Sequence, residues 1–127
     1  MTALRHRVLV VDDDHEARLL LSTLVARAGF DVHAVADGAM ALAMMRARPP
    51  HVVLLDAHLP GKSGFDVCRE IRGDSKLCAT PVVMLTAFAE GDARERSLEA
   101  GASEFVEKPF RTEQLVALLR RLAGAVA

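Results

Sequence analysis

The stretch Val8-Leu9-Val10-Val11-Asp12-Asp13-Asp14 decides the fold, because an apolar run typical of a buried strand ends abruptly in three carboxylates. Three further runs, each mostly apolar, end in the same way: Val52–Leu55 before Asp56, Val82–Leu85 before Thr86, and Phe105–Glu107 before Lys108. In a parallel sheet the carboxyl ends of the strands meet at one edge. The sequence therefore predicts that these polar residues share one site.

Helices are predicted between the strands, where apolar residues recur at three- and four-residue spacing. The first runs from an Asp14 cap to Gly29, and the second from Asp37-Gly38 to before Pro49-Pro50. The third runs from about Phe65 to near Gly73, and the fourth from about Glu90 to Ala100. The fifth begins at a Thr112 cap and continues through Leu115, Leu118, Leu119 and Leu122. Residues 30–35 form a short second strand and residues 104–107 the fifth. Five β-α units with short connections predict an α/β fold, a doubly wound parallel sheet covered on both faces.

The composition of the strands predicts their order. Strands 1, 3, 4 and 5 are apolar on both alternations, which favours central positions, whereas strand 2 is mixed and suits an edge. The order 2-1-3-4-5, as in flavodoxin-like sheets, fits this pattern best. It places the switch point between strands 1 and 3, so Asp12, Asp13 and Asp56 should meet where such folds bind ligands.

Length and charge narrow the class of protein. The 127 residues predict a single domain over 1–127, with its core at about 6–122. A net charge of −1, from 16 basic and 17 acidic residues, argues against direct nucleic-acid binding. No apolar stretch reaches the roughly 20 residues that span a bilayer, so we expect no membrane association and a cytoplasmic location. Cys68 and Cys78 lack zinc-ligand spacing and are expected to be reduced.

The carboxylate cluster predicts a metal site and a nucleophile. Three carboxylates this close repel one another and require a cation. All-oxygen ligands favour Mg²⁺ or Mn²⁺ over Zn²⁺. An aspartate beside such a metal can attack a phosphoryl donor and form an acyl phosphate. The Thr86 hydroxyl and the Lys108 ammonium would then be donors to the phosphoryl oxygens.

These motifs, in this order, resemble the receiver domain of two-component response regulators, including the chemotaxis regulators. The likeness covers Val8 to about Leu122. It is carried by Val10–Asp14, Leu54–Asp56 followed by Leu59-Pro60 and Gly64, Met84–Ala87, Gly101-Ala102, and Phe105–Phe110.

The resemblance implies a role for each matching residue. Asp56 would be the phosphoacceptor; Asp12, Asp13, Asp56 and the backbone carbonyl of His58 would hold Mg²⁺; Thr86, Ala87 and Lys108 would bind the phosphoryl group; Phe105 would be the rotameric switch; and the Lys108-Pro109 bond would be cis. The donor would be a histidine kinase or a histidine phosphotransfer protein. Phosphorylation would change binding of a downstream protein or effector domain through helix 4, strand 5 and helix 5, without turnover of an independent substrate.

Other classes of protein fit less well. A haloacid-dehalogenase-type phosphatase also uses a strand-end aspartate but needs a second acid two residues on, where this chain has His58. Gly61-Lys62-Ser63 mimics the end of a P-loop, yet the motif's first glycine is replaced by Asp56. Acidic residues after strand 1 would repel the phosphate of FMN. A stand-alone regulator and one domain of a longer regulator or hybrid kinase both remain possible at this stage.

Overall fold

The computed structural model describes residues 5–87 and 91–124. Five strands and five helices alternate in these residues. The strands are β1 (Arg7–Val11), β2 (Asp31–Val35), β3 (Val52–Asp56), β4 (Val82–Ala87) and β5 (Glu104–Lys108). The helices are α1 (His15–Arg27), α2 (Gly38–Ala47), α3 (Gly64–Gly73), α4 (Ala93–Glu99) and α5 (Thr112–Gly124).

All four strand pairings are parallel, and the order is β2-β1-β3-β4-β5, which confirms the predicted topology. The apolar pattern of strand 5 alone favoured a central position, whereas the predicted order placed this strand at an edge, and the order is correct. β5 forms one edge, where its residues are half-buried or exposed. Its apolar residues, Phe105 and Val106, are only half-buried, since an edge strand has a neighbouring strand on one side only.

The sheet carries a separate apolar core on each face. Leu9 and Val11 of β1 pack with α2 and α3, whereas Val8 and Val10 pack with α1 and α5. Because side chains alternate along a strand, the continuous apolar run of β1 supplies both cores. The helices cover the faces and leave the carboxyl ends of the strands accessible, so the site must form there.

Side-chain caps begin two of the helices as predicted. The Asp14 carboxylate accepts the Ala17 N–H at 3.0 Å at the start of α1. Asp37 accepts the Met40 N–H at 2.8 Å at the start of α2. Each cap satisfies a backbone donor that the first helical turn leaves unpaired.

Three predicted boundaries differ from the structure. Helix α4 begins at Ala93; the predicted start, Glu90, lies outside the described residues. Thr112 is the first residue of α5 and not its cap, because the Arg111 carbonyl already accepts the Leu115 N–H at 3.1 Å. Strand β2 begins at Asp31, since Phe30 leaves the ladder to pack in the core.

Candidate functional site

The loop after β1 fixes Asp12 tightly. This residue is fully buried, and its Oδ1 accepts the Asp14 N–H at 2.9 Å. Its own N–H donates to the Val35 carbonyl, and Arg18 Nη1 donates to its carbonyl at 2.9 Å. Asp13 is exposed. Of three consecutive aspartates, one is therefore anchored, one faces solvent and one caps α1.

Asp56 is the last residue of β3 and is 7% exposed. Its Oδ1 accepts the His58 N–H at 3.0 Å, which orients the carboxylate at the strand end. The chain then folds back, and Gly64 donates its N–H to the Ala57 carbonyl at 2.9 Å. A Cβ on Gly64 would lie 2.2 Å from the Asp56 carbonyl oxygen. Only glycine allows α3 to start this close to the Asp56 backbone.

Strands β4 and β5 bring a hydroxyl and an ammonium to the same edge. Thr86 is fully buried, and its Oγ1 has no hydrogen-bond partner in the described part of the chain. Ala87 and Lys108 are register partners at the ends of these strands. Lys108 Nζ lies 3.3 Å from Asp12 Oδ2 and 3.9 Å from Asp56 Oδ2. The Lys108-Pro109 peptide bond is cis.

Charge in the cluster is only partly balanced. Ligand atoms of Asp12, Asp13 and Asp56 all lie within 4.8 Å of one another. Burial raises the pKa of the Asp56 carboxyl above its usual value; the His58 amide and the Lys108 charge lower that pKa, while Asp12 and Asp13 raise it. One half-exposed ammonium faces three carboxylates, so the arrangement suits a divalent cation with oxygen ligands.

The structure brings most of the predicted residues together. Asp12, Asp13, Asp56 and Lys108 form one cluster, with Thr86 and Ala87 on the strand between Asp56 and Lys108. Phe105 lies further back on β5 as the register partner of Met84, and it lines a groove with Phe110, Gln114 and Leu118. It does not contribute to the acidic cluster.

Two contacts that position the site residues were not predicted from the sequence. Arg18 reaches back from α1 to the Asp12 carbonyl, and the His58 amide holds Asp56. Helical side chains lean toward the N-terminus of their helix, so an arginine one turn into α1 was a usable signal for the first contact. A backbone N–H carries no sequence signal, so the second could not have been found.

The model of the response regulator receiver domain family matches residues 8–120. The chain belongs to this family. The DNA-binding response regulator MtrA of Mycolicibacterium smegmatis is 43% identical over 120 residues, which is 94% of this chain and 51% of that protein. The transcriptional regulatory protein GltR of Pseudomonas aeruginosa is 38% identical over 122 residues, 96% of this chain and 50% of that protein. The chain thus spans about half the length of the curated relatives it matches.

Solved receiver structures share the fold. The chemotaxis response regulator CheY4 of Vibrio cholerae superposes with a TM-score of 0.86 at 31% identity, covering 94% of this chain and 99% of that one. The receiver domain of the sensor histidine kinase PA1611 of Pseudomonas aeruginosa gives 0.87 at 30% identity, covering 95% and 99%. The latter has a magnesium ion coordinated in its active-site cleft.

Two further observations bear on the excluded classes. Cys68 is buried and Cys78 exposed, and both thiols are free. Among the described residues, no helix is long and apolar enough to cross a membrane. Response regulator receiver domains are signalling proteins of two-component systems, and the described site is compatible with that class.

Proposed function

We propose that the chain is a single receiver domain, with its core at about 6–122, that accepts a phosphoryl group on Asp56 from a phosphohistidine of a histidine kinase or histidine phosphotransfer protein. The observation that carries this proposal is the convergence of three carboxylates, the Lys108 ammonium and the unpartnered Thr86 hydroxyl at one edge of the sheet. The Mg²⁺ ion (or Mn²⁺) would be held by Asp12, Asp13, Asp56 and the His58 carbonyl. When bound, it would neutralise these carboxylates and the incoming phosphoryl oxygens.

The chain's own residues position the reacting groups. The His58 N–H donates to Asp56 Oδ1 and so fixes the orientation of the carboxylate before the donor arrives. An Asp56 oxygen attacks phosphorus, the O–P bond forms, and the P–N bond breaks with its electron pair going to the imidazole. Arg18 and the Asp14 N–H hold Asp12 in place during this step.

Thr86 and Lys108 would respond to the product. A buried hydroxyl without a partner gains a hydrogen bond when a phosphoryl oxygen comes within reach. Lys108 would exchange its carboxylate partners for a phosphoryl oxygen, and the Ala87 N–H would be a further donor. Phe105 would then turn inward as Thr86 moves, which alters the face formed by α4, β5 and α5.

That face is the proposed output surface. Leu98 of α4 is 57% exposed, and an open groove follows β5 and α5 past Phe105, Phe110 and Leu118. Since MtrA and GltR are about twice as long as this chain, the target is either an effector domain of a longer protein or a separate protein. We propose no direct contact of this chain with nucleic acid and a cytoplasmic location.

Phosphorylation by acetyl phosphate with Mg²⁺ tests the assignment. Intact-mass analysis should find one phosphoryl group on the wild type and none on Asp56→Asn. Asp66→Asn, which changes an exposed aspartate of α3, is the matched control and should be modified like the wild type. An undiminished adduct on Asp56→Asn would remove Asp56 from the role.

Turnover separates the receiver from the phosphatase class. Position 58 offers no carboxylate to activate water or to protonate an alkoxide leaving group. We expect no hydrolysis of p-nitrophenyl phosphate above an Asp56→Ala control, and a phosphorylated form that persists for seconds or longer. Sustained, Asp56-dependent turnover would instead favour the enzyme class.

A further inference from the structure

A cavity of about 150 Å³ lies at the end of the sheet opposite the acidic cluster. It lies between the first half of β1 and the last turns of α2. Arg7 and Asp12 are five residues apart along β1 and the following loop, a separation of roughly 16 Å in an extended chain. The cavity is therefore distinct from the proposed phosphoacceptor site.

Most of the cavity wall is apolar. It is formed by Val8, Leu9, Met44, Met45, Ala47 and Pro50. Leu9 and Met45 belong to the core beneath α2, whereas Met44 is only partly buried. Methionine side chains adapt to the shape of a ligand. A dry apolar cavity of about 150 Å³ can hold one benzene molecule, which sets the size of the apolar group that fits.

Three residues with nitrogen-bearing side chains also line the cavity: Arg7, His33 and Arg48. Arg7 Nη2 donates to the Pro49 carbonyl at 2.7 Å, but its Nε is buried and has no partner among the described residues. A buried donor without an acceptor is rare in folded proteins. Because Arg7 also lines the cavity, an anion bound there would be an additional acceptor for this side chain.

Within residues 5–87 and 91–124, no acid lines the cavity. Asp31 is the register partner of Arg7 on β2 and thus its neighbour on the same face, yet no ion pair joins the two within the described residues. Asp74, the other acid near this end of α2, is already paired with Arg46 at 3.1 Å. The charge of the two lining arginines is thus available to an anion.

We propose that this cavity binds a small aromatic monocarboxylate of the benzoate class. The ring would occupy the space beside Leu9 and Met45, and the carboxylate would accept hydrogen bonds from Arg7 and Arg48. A guanidinium presents paired N–H groups that match a carboxylate, which distinguishes this ligand from a neutral aromatic. The cavity is too small for nucleotides or most drug-sized ligands.

Titration of the full chain with sodium benzoate, followed by amide NMR shifts at pH 7.5, tests the proposal. Benzyl alcohol has the ring without the charge, and acetate has the charge without the ring. We expect saturable shifts confined to residues around Leu9, His33, Met45 and Ala47 with benzoate. Benzyl alcohol cannot make the charge-assisted contact, so the affinity for it should be lower than the affinity for benzoate by about tenfold or more.

Two variants test the role of the arginines. Arg7→Gln and Arg48→Gln should each lower the affinity for benzoate several-fold. Arg27→Gln, at the exposed end of α1, should leave this affinity unchanged. Arg48 is exposed, so its variant keeps the test valid if Arg7→Gln fails to fold. Equal affinities for benzoate and benzyl alcohol, equal shifts with acetate, or no saturable benzoate binding would each overturn the proposal.

Discussion

At the scale of single residues, Asp56 lowers the stability of the fold at neutral pH. Burial raises its pKa above the value expected in the unfolded chain, so its ionised form destabilises the fold at neutral pH. The free energy of unfolding should therefore increase as pH falls through the folded-state pKa of Asp56, because the carboxyl then becomes neutral. A raised pKa in a cluster of carboxylates is also typical of functional sites.

We expect Asp56→Asn to be more stable than the wild type at pH 7.5 in EDTA, by on the order of 1 kcal/mol, because one of three repelling charges is removed. Urea unfolding measures the difference. Added Mg²⁺ should stabilise the wild type but have little effect on the variant. Equal or lower stability of Asp56→Asn in EDTA would contradict this account of the cluster.

Lys108 forms ion pairs with two acids of the cluster. Its Nζ lies 3.3 Å from Asp12 Oδ2 and 3.9 Å from Asp56 Oδ2, so Asp12 is the nearer partner. The buried Asp12 carboxylate is the more desolvated of the two, so it gains more from a cation. Such a preference between two nearby acids depends on tenths of an ångström, which no sequence pattern encodes.

Lys108→Ala should still bind Mg²⁺, because removing a cation leaves the carboxylates more negative. Phosphorylation by acetyl phosphate should slow by roughly ten- to hundredfold, the effect of losing one charge-assisted contact to the phosphoryl group. NMR shifts of Thr86 and Phe105 on phosphorylation should shrink. Lys76→Ala, an exposed lysine, is the control. Wild-type shifts in Lys108→Ala would remove this residue from the coupling.

At the scale of elements, the start of α3 depends on Gly64. A Cβ there would lie 2.2 Å from the Asp56 carbonyl oxygen and 2.8 Å from the Ala57 Cα, and backbone cannot move aside as a side chain can. Gly64→Ala should therefore destabilise the fold by a few kcal/mol and displace Asp56. Urea unfolding and the extent of phosphorylation measure the two effects.

Gly73, the last residue of the same helix, is the matched control. A Cβ there would have no neighbour within 4 Å. Gly73→Ala should stabilise the protein by up to about 1 kcal/mol, because alanine favours the helix. If both variants behaved alike, the close approach of Gly64 to β3 would not explain its role.

The starts of some helices could be predicted from the sequence, and others could not, for physical reasons. A cap such as Asp14 or Asp37 depends on one side chain that is visible in the sequence, and both residues cap their helices in the structure. The start of α5 depends on a backbone bond from Leu115 to the Arg111 carbonyl, so the nearby Thr112 was misleading. Apolar composition alone did not distinguish β5 from a central strand, although the predicted order placed it correctly at an edge.

At the scale of the whole molecule, the two ends of the sheet have different chemistry. The carboxyl ends hold the acidic cluster, which the sequence predicted because each acid directly follows a strand. The amino ends hold the adjacent His6 and Arg7 together with His51, which lies 44 residues beyond Arg7, so the sequence gave no joint signal. The cavity beside Arg7 depends on how α2 packs on β1, and packing cannot be deduced from periodicity alone.

His51 links these amino ends and makes stability depend on pH. Its Nδ1 accepts the Arg7 N–H at 2.9 Å, and its ring contacts His6 edge-on at 4.8 Å between centroids. Burial lowers the pKa of His51, and the charges of Arg7 and His6 lower it further. The neutral ring is therefore the form that the fold requires.

Because the pKa of His51 is lower in the folded chain than in the unfolded one, its contribution is complete above the unfolded value of about 6.5 and is lost as pH falls toward the folded value. We expect the wild type to lose stability in urea between pH 7.5 and 5.5 in excess of His51→Asn. Asparagine offers an oxygen near the position of Nδ1 but does not titrate. His33→Asn, an exposed histidine on β2, should keep the wild-type pH dependence. If His51→Asn lost as much stability over this range as the wild type, the Arg7 contact would not be the acid-sensitive element of the fold.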